Sequence, residues 1–202
     1  TGMSGRYMAY VGSYSYTGKA KGITVFDVDV EKGTFKERCE MEVNNSSYVI
    51  ASSDGKTLYS IADEGVVSFR ILQNGALARL NSAPIRGMRG CHLCSDLEDK
   101  FIFVSGYHDG KTTILSLNKD GSVGGIVDGV YDKGYGSVAE RNFRPHVTCT
   151  RRMPDNKYVL SVDNGVDQVK IYRFNDKEQK MVQVDAIRCD LESCLLYTSD
   201  AA

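Results

Sequence analysis

The sequence has no tryptophan and only three prolines and three histidines among its 202 residues. It also lacks long runs of strong helix formers, so helix is predicted to be a minor element at most. No stretch approaches the roughly 18 consecutive apolar residues that a transmembrane helix needs. The start of the chain does not show the basic and then apolar pattern of a secretory signal. We therefore expect a cytoplasmic protein that does not associate with membranes.

Net charge is nearly absent as well. The 25 basic and 26 acidic residues leave a formal charge of -1, which gives no general attraction to nucleic acid or to anionic lipid. The six cysteines could indicate a disulfide framework, but a chain of this length without an export signal more often keeps reduced thiols as small apolar side chains. We expect reduced cysteines and no polyanionic partner.

Glycine, tyrosine and β-branched residues are plentiful, which favours short strands joined by tight turns. The strands follow a repeat that is visible in residues 48–81, 92–127 and 149–184. Each stretch has a short apolar segment, a turn of Asp, Asn or Gly that ends in a lysine, an alternating strand, a second turn, another alternating strand and a third turn. The three turns divide each stretch into four segments. This pattern predicts four strands in each unit.

The spacing of the units predicts their architecture. The hairpin lysines Lys56, Lys100 and Lys157 lie 44 and 57 residues apart, and four-stranded units of about 40 to 50 residues are typical of β-propellers. The beginning of the chain fits a further unit, since its EKGTF turn matches the later QNGAL and KDGSV turns. We predict an all-β propeller domain over residues 4–193, made of four-stranded antiparallel blades with approximate bounds 6–43, 48–81, 91–127 and 145–184.

The two ends break these patterns. Residues 1–3 are interpreted as a cloning or gene-calling remnant before the first unit. The tail CLLYTSDAA, residues 194–202, resembles the translation of a transposase adapter used in sequencing libraries. We expect the natural protein to continue beyond Ser193. A partial ring would leave two open faces, and we expect the truncated chain to be inactive and poorly soluble.

Three stretches carry a resemblance to a known family: YVIASSDGKTLYSIADEG from Tyr48, CHLCSDLEDKFIFVSGYHDGKTTILSLNKDGSV from Cys91, and above all ERNFRPHVTCTRRMPDNKYVLSVDNGVDQVKIYRF from Glu140. They resemble the seven-bladed lactonase family, which includes the bacterial propeller form of 6-phosphogluconolactonase and the fungal carboxy-muconate lactonizing enzymes. The resemblance covers residues 6 to about 190, so about four of the seven blades are present.

The resemblance implies a cytoplasmic carboxylic ester hydrolase of the pentose phosphate or sugar-acid pathways. Its partner would be a small lactone, and no cofactor or metal is expected. Further site residues, an Arg-His pair and a Glu in the fifth blade, are implied downstream of this sequence. The family often has a second histidine two positions after the one matching His146, where this chain has Thr148, which puts a mechanism with two histidines in doubt.

Candidate site residues follow from the repeat itself. Counting back 11 residues from each hairpin lysine reaches Asn45, Arg89 and His146, which predicts that these three polar side chains surround one mouth of the central channel. A histidine suits the deprotonation of water near neutral pH, since its ordinary pKa is about 6.5. His146 is therefore the candidate catalytic base or acid. The alternative is that it is a hydrogen-bonded structural residue at the start of a strand.

Substrate anchors are sought among the arginines, because a guanidinium offers paired donors to phosphate or carboxylate. Arg89, Arg141 and Arg144 are the candidates, with Asn45 and His92 as further channel-lining residues. The long segment 128–144 is predicted to form a wall or lid over the mouth.

Asp163 and the CHLC segment are expected to have structural roles. Asp163 is expected to brace a turn. The CHLC segment is not assigned to zinc, because Cys91 and His92 would point to opposite faces of a strand and no second pair has matching spacing. Two alternatives to a lactone hydrolase stay open, a propeller that binds a partner without catalysis and an isomerase that lactonizes a muconate. The oligomeric state is not indicated.

Overall fold

A computed structural model describes residues 6–133 and 144–189, and all regular secondary structure in these ranges is β-strand. No helix long and apolar enough to cross a membrane occurs in this part of the chain. The strands form four antiparallel meanders, because strands that are consecutive in sequence are also neighbours in each sheet. The all-β class and the antiparallel blades predicted from the repeat are confirmed.

The strand bounds show how the repeat maps onto the sheets. The first sheet contains β1 (Arg6–Gly12), β2 (Gly22–Asp29) and β3 (Thr34–Glu42). The second contains β4 (Val49–Ala51), β5 (Thr57–Ile61), β6 (Gly65–Ile71) and β7 (Leu77–Pro84). The third contains β8 (His92–Ser95), β9 (Phe101–Ser105), β10 (Lys111–Leu117) and β11 (Val123–Tyr131). The fourth contains β12 (Val147–Arg152), β13 (Tyr158–Asp163), β14 (Gln168–Phe174) and β15 (Met181–Arg188).

The first sheet differs from the prediction because it has three strands and not four. The glycine turns explain which strand has no counterpart. Gly33 lies between β2 and β3, as Gly75 lies between β6 and β7 and Gly121 between β10 and β11. Strand β1 therefore corresponds to β5, the second strand of its sheet, and nothing in the described residues corresponds to β4. Strands β4, β8 and β12 contact one another in series, which makes them the inner strands.

Adjacent sheets pack through their apolar faces. One buried cluster joins the second and third sheets and includes Tyr59, Ile61, Leu93 and Ile102. Comparable clusters join the first sheet to the second and the third to the fourth. Because each strand alternates its side chains between two faces, the central sheets are apolar on both sides. The sheets are therefore slices of one propeller and not independent units.

Glycine turns dock the second and third sheets onto the sheets that precede them. The hydroxyl of Tyr59 on β5 donates to the carbonyl of Gly121 at 2.8 Å, and a Cβ atom on Gly121 would lie 2.2 Å from Oγ1 of Thr57. Gly121 also has a φ of 87°, which side chains rarely tolerate. Gly33 has a φ of 63° but has open space around it, since no described sheet precedes the first one.

Apolar side chains in the first and last sheets are exposed. Tyr7 and Phe35 in the first sheet and Val184 and Ile187 in the fourth are each about half exposed or more. Side chains at comparable places between the middle sheets are buried. Exposed apolar area of this kind favours association, so poor solubility of this chain stays a prediction.

Replacing Gly121 by alanine should destabilise the chain more than the same change at Gly33. Both alanines would adopt a left-handed conformation, which costs about 1 to 2 kcal/mol. Gly121→Ala would add a clash with Thr57 worth roughly 1 to 3 kcal/mol. Urea unfolding of the two variants measures the difference. Equal losses would show that the contact between the sheets is not what requires glycine at this turn.

Candidate active site at the channel mouth

The residues that precede the inner strands are held by the second turn of the preceding sheet. The carboxylate of Asp63, which follows β5, accepts a hydrogen bond from Nη1 of Arg89 at 3.2 Å. The backbone carbonyl of Tyr107, which follows β9, contacts Nδ1 of His146 at 2.5 Å. Asp63 and Tyr107 each stand seven residues after a hairpin lysine, and their partners stand 11 residues before the next one. One repeat contact therefore positions both side chains.

Asn45 and Arg89 are brought together on Asp63. Nδ2 of Asn45 donates to both carboxylate oxygens of Asp63 at 2.9 and 3.1 Å, while Oδ1 of Asn45 accepts from the backbone amide of Ser15 at 2.9 Å. The guanidinium of Arg89 also lies 5.0 Å from the ring centroid of Tyr14. Asn45 is thus engaged on both sides of its amide, and the charge of Arg89 is shared with a carboxylate.

His146 is buried against Tyr107, whose ring is stacked on the imidazole with 4.3 Å between the centroids. A carbonyl oxygen can only accept a hydrogen bond, so Nδ1 of His146 donates to Tyr107 and the neutral ring has its lone pair on Nε2. The contact fixes both the tautomer and the orientation of the ring. Nε2 is therefore the atom that can accept a proton.

The backbone of His146 is fixed as firmly as its ring. Its amide donates to Oδ1 of Asp163 at 2.9 Å, and its carbonyl accepts from the amide of Asn164 at 3.0 Å. A Cβ atom on Gly165 would lie 2.7 Å from the His146 nitrogen, so the turn after β13 lies directly against this segment. Gly110 packs as closely against Pro145. The adjacent proline and histidine are therefore wedged between two turns.

The arginines of the predicted site are only partly described. Arg144 is exposed at the start of the segment that leads to His146. Arg141 lies outside the described residues, and so does most of the segment predicted to be a wall or lid. The beginning of that segment differs from the prediction, because β11 continues to Tyr131 and Asp132 then donates its backbone amide to the carbonyl of Gly110 at 2.8 Å.

His92 starts the inner strand β8 and lies between the second and fourth sheets. Its Nε2 is 3.6 Å from Sγ of Cys149, and its ring centroid is 4.8 Å from that of Tyr48. Its Nδ1 is buried and has no hydrogen-bond partner in the part of the chain that the structure describes. Burial, and to a lesser extent the nearby Arg151, lowers the pKa of His92 to about 4. His92 is therefore neutral at pH 7, so any contact with substrate would be as a neutral ring.

The cysteines near His92 are poor nucleophiles. Burial raises the pKa values of Cys91 and Cys149 to about 11, so both are thiols at neutral pH. Sγ of Cys91 donates to the carbonyl of Val147 at 3.3 Å. Within residues 6–133 and 144–189, no group of three or more His, Cys, Asp or Glu side chains is arranged to hold a metal ion.

Sequence reasoning did not identify Asp63 or Tyr107 as parts of the mouth. The signal was available for both, because counting forward seven residues from Lys56 and Lys100 reaches them. No such count finds Asp132, a buried aspartate that follows β11. Its role depends on contacts across two sheets.

The meandering sheets, packed face to face around a series of inner strands, define a β-propeller. The family model "Lactonase, 7-bladed beta-propeller" matches residues 8–193, and the chain belongs to this family. The resemblance that the sequence carries is therefore confirmed.

Individual relatives agree with this assignment. The chain is similar to a 6-phosphogluconolactonase of Bacillus subtilis, with 32% identity over 177 residues that cover 85% of this chain and 50% of that protein. A Bacteroides fragilis protein provisionally assigned as a 6-phosphogluconolactonase has a crystal structure that matches with a TM-score of 0.86 and 30% identity, over 99% of this chain and 60% of that one.

A periplasmic gluconolactonase of Pseudomonas aeruginosa matches with a TM-score of 0.79 over 87% of this chain and 52% of that one; at 23% identity, this shows the fold alone. The chain spans about half the length of the curated relatives it matches.

Replacing His92 by glutamine should change how stability depends on pH. The pKa of His92 is about 4 in the folded chain and about 6.5 when unfolded, so the unfolded chain binds more protons here between these values. Folded stability is therefore lost as pH falls from about 6.5 to 4, by up to about 1.4 kcal/mol per pH unit. Urea unfolding at several pH values should show this slope reduced in His92→Gln.

The matched control is His108→Gln, since His108 is an exposed histidine on the turn after β9. Its stability curve should run parallel to that of the unmodified chain. A His92→Gln curve that is also parallel would contradict the lowered pKa.

Proposed function

We propose that this protein is a lactone hydrolase in which His146 acts as the general base. The observation that carries the proposal is the hydrogen bond from Nδ1 of His146 to the carbonyl of Tyr107, which directs the basic Nε2 away from that contact. Membership of the lactonase family and similarity to a 6-phosphogluconolactonase support the same reaction class. No cofactor is needed for this chemistry.

In the proposed reaction, Nε2 of His146 removes a proton from a water molecule whose oxygen attacks the lactone carbonyl. The tetrahedral intermediate then breaks the ring C–O bond. The alkoxide that leaves takes the proton back from the imidazolium, so the products are the open-chain hydroxy acid and neutral His146. The carbonyl of Tyr107 keeps the ring oriented through the cycle because Nδ1 carries a proton in both states.

The substrate proposed is a phosphorylated sugar lactone, with 6-phosphogluconolactone as the best candidate. Arg144 is exposed next to the His146 segment and would bind the phosphate, with Arg141 as a second candidate. Arg89 is a further candidate, and the carboxylate of Asp63 offsets part of its positive charge. Asn45 and His92 would line the channel as neutral groups.

The compartment is part of the proposal. The family resemblance implies the cytoplasm, whereas a relative with the same fold is named as periplasmic. The fold therefore does not decide the location, and cell fractionation of the native host would.

Replacing His146 by alanine should lower kcat/KM for 6-phosphogluconolactone by about 100-fold or more, which is the usual contribution of a general base. Because the chain spans about half the length of its relatives, the assay uses the longest native form of the protein. His108→Ala is the control, since it removes an exposed histidine from the turn that follows β9. Undiminished turnover in His146→Ala would exclude His146 as the base. Turnover of a muconate but not of 6-phosphogluconolactone would favour the isomerase.

Replacing Arg144 by alanine should weaken binding of a phosphorylated lactone more than binding of the same lactone without phosphate. A charge-assisted contact to phosphate contributes about 1.5 to 3 kcal/mol, so KM should rise roughly 10-fold or more for the phosphorylated substrate. The unphosphorylated lactone serves as the internal control. Equal changes in KM for both substrates would remove Arg144 from phosphate recognition.

A further inference from the structure

A buried cluster of charged and polar side chains lies behind His146 and is not used in the proposed reaction. Asp163 is fully buried at the end of β13, and its Oδ1 accepts the backbone amides of His146, Gly165 and Val166 at 2.9 to 3.1 Å. Three backbone amide donors thus converge on this one oxygen. Asp163 therefore fixes the start of the His146 strand and the turn beside it at once.

Asp132 occupies the other side of the cluster. Its Oδ1 accepts the hydroxyl of Tyr172 at 2.6 Å, and its Oδ2 lies 3.6 Å from Nζ of Lys170. The ammonium of Lys170 also donates to the carbonyl of Lys133 at 2.8 Å. Tyr172 and Lys170 both belong to β14 and are almost completely buried. Asp132 is thus tied to the fourth sheet although it follows the last strand of the third.

The two carboxyl groups meet inside the cluster. Burial, and after it the side chain of Asp163, raises the pKa of Asp132 to about 7. Both Oδ2 of Asp132 and Oδ2 of Asp163 are buried, and neither has a hydrogen-bond partner among the residues that the structure describes. An oxygen in this position costs free energy unless something pairs with it. A proton between the two carboxyl groups would satisfy both oxygens.

The charge of the cluster leads to the same conclusion. Among the described residues, the charged and titratable groups that face Asp132 are Lys170 and Tyr172 on β14 and Asp163 on β13. With both carboxyls ionised, one ammonium faces two negative charges in a buried site. With one proton added, the cluster is neutral, and burial favours a neutral cluster strongly.

We propose that Asp132 and Asp163 share one proton between their Oδ2 atoms and that this carboxyl pair is a positioning element for His146. The proton belongs to the pair, with Asp132 donating and Asp163 keeping the charge that its three amide donors require. When the proton is lost, repulsion between two carboxylates disturbs the oxygen that holds the His146 amide. The consequence for catalysis rests on the proposed role of His146, whereas the pairing itself does not.

This arrangement gives a direction to the pH dependence. The carboxyl pair holds His146 in place only while it retains the shared proton. Activity should therefore decline on the alkaline side when the pair ionises. Asp132→Asn should remove this decline, because the asparagine amide can donate permanently to Asp163 in place of the proton.

The test is made without substrate on the longest native form of the protein, so its outcome is independent of whether the protein is a lactonase. Infrared difference spectra between pH 5.5 and 8.5 should show one protonated carboxyl that is lost with a midpoint of about 7. The backbone amide signal of His146 in NMR should shift with the same midpoint. Both changes should be absent in Asp132→Asn. Asp128→Asn is the matched control, on the strand β11 that precedes Asp132, and should retain them.

A second variant keeps the test decisive if Asp132→Asn does not fold. Tyr172→Phe preserves the packing of the ring but removes the hydroxyl that donates to Asp132. In the unmodified chain this hydrogen bond lowers the pKa of Asp132. The midpoint should then move to higher pH. The proposal is overturned if the unmodified chain shows no carboxyl titration in this range, if the His146 amide does not follow it, or if the midpoint in Tyr172→Phe is unchanged or lower.

Discussion

The acceptor at the second turn of each sheet is the constraint on which the mouth of this propeller depends. Face-to-face packing of the sheets brings that turn against the residues that lead into the next inner strand. The hydrogen-bond acceptor on the turn then determines which side chain the turn can bind. A carboxylate at Asp63 holds Arg89, and a backbone carbonyl at Tyr107 holds His146. The same packing that stabilises the fold therefore arranges the candidate site.

The sequence predicts the repeat and the equivalence of Asn45, Arg89 and His146, because turn chemistry and strand alternation are local properties. It does not predict the groups that hold them. The acceptor for His146 is a main-chain carbonyl, which every residue possesses, so no residue type marks it. The pairing of Asp132 with Asp163 joins positions 31 residues apart on different sheets. The described residues contain no inner strand for the first sheet, and this too depends on which strands find partners.

Buried charge behind the mouth has a cost that the apolar clusters between sheets do not have. Lys170, Asp132 and Asp163 must be desolvated together, and such groups contribute little net stability even when they are well paired. Their benefit is geometric, because each has one arrangement that satisfies its neighbours. The cluster ties the end of the third sheet and the start of the fourth to a common point. Hydrophobic side chains of similar size could fill this space but could not fix the backbone amide of His146.

The difference between the two acceptors also explains how neighbouring equivalent positions can differ in chemistry. A carboxylate opposite His146 would favour the imidazolium form and oppose its use as a base. A carbonyl fixes the proton on Nδ1 by a dipole alone, so it orients the ring in both protonation states. Arg89 instead requires a carboxylate acceptor, because its charge is permanent. The carboxylate of Asp63 compensates that charge in a half-buried position. One repeat contact thus supports a fixed charge on one sheet and the proposed proton-transfer group on the next.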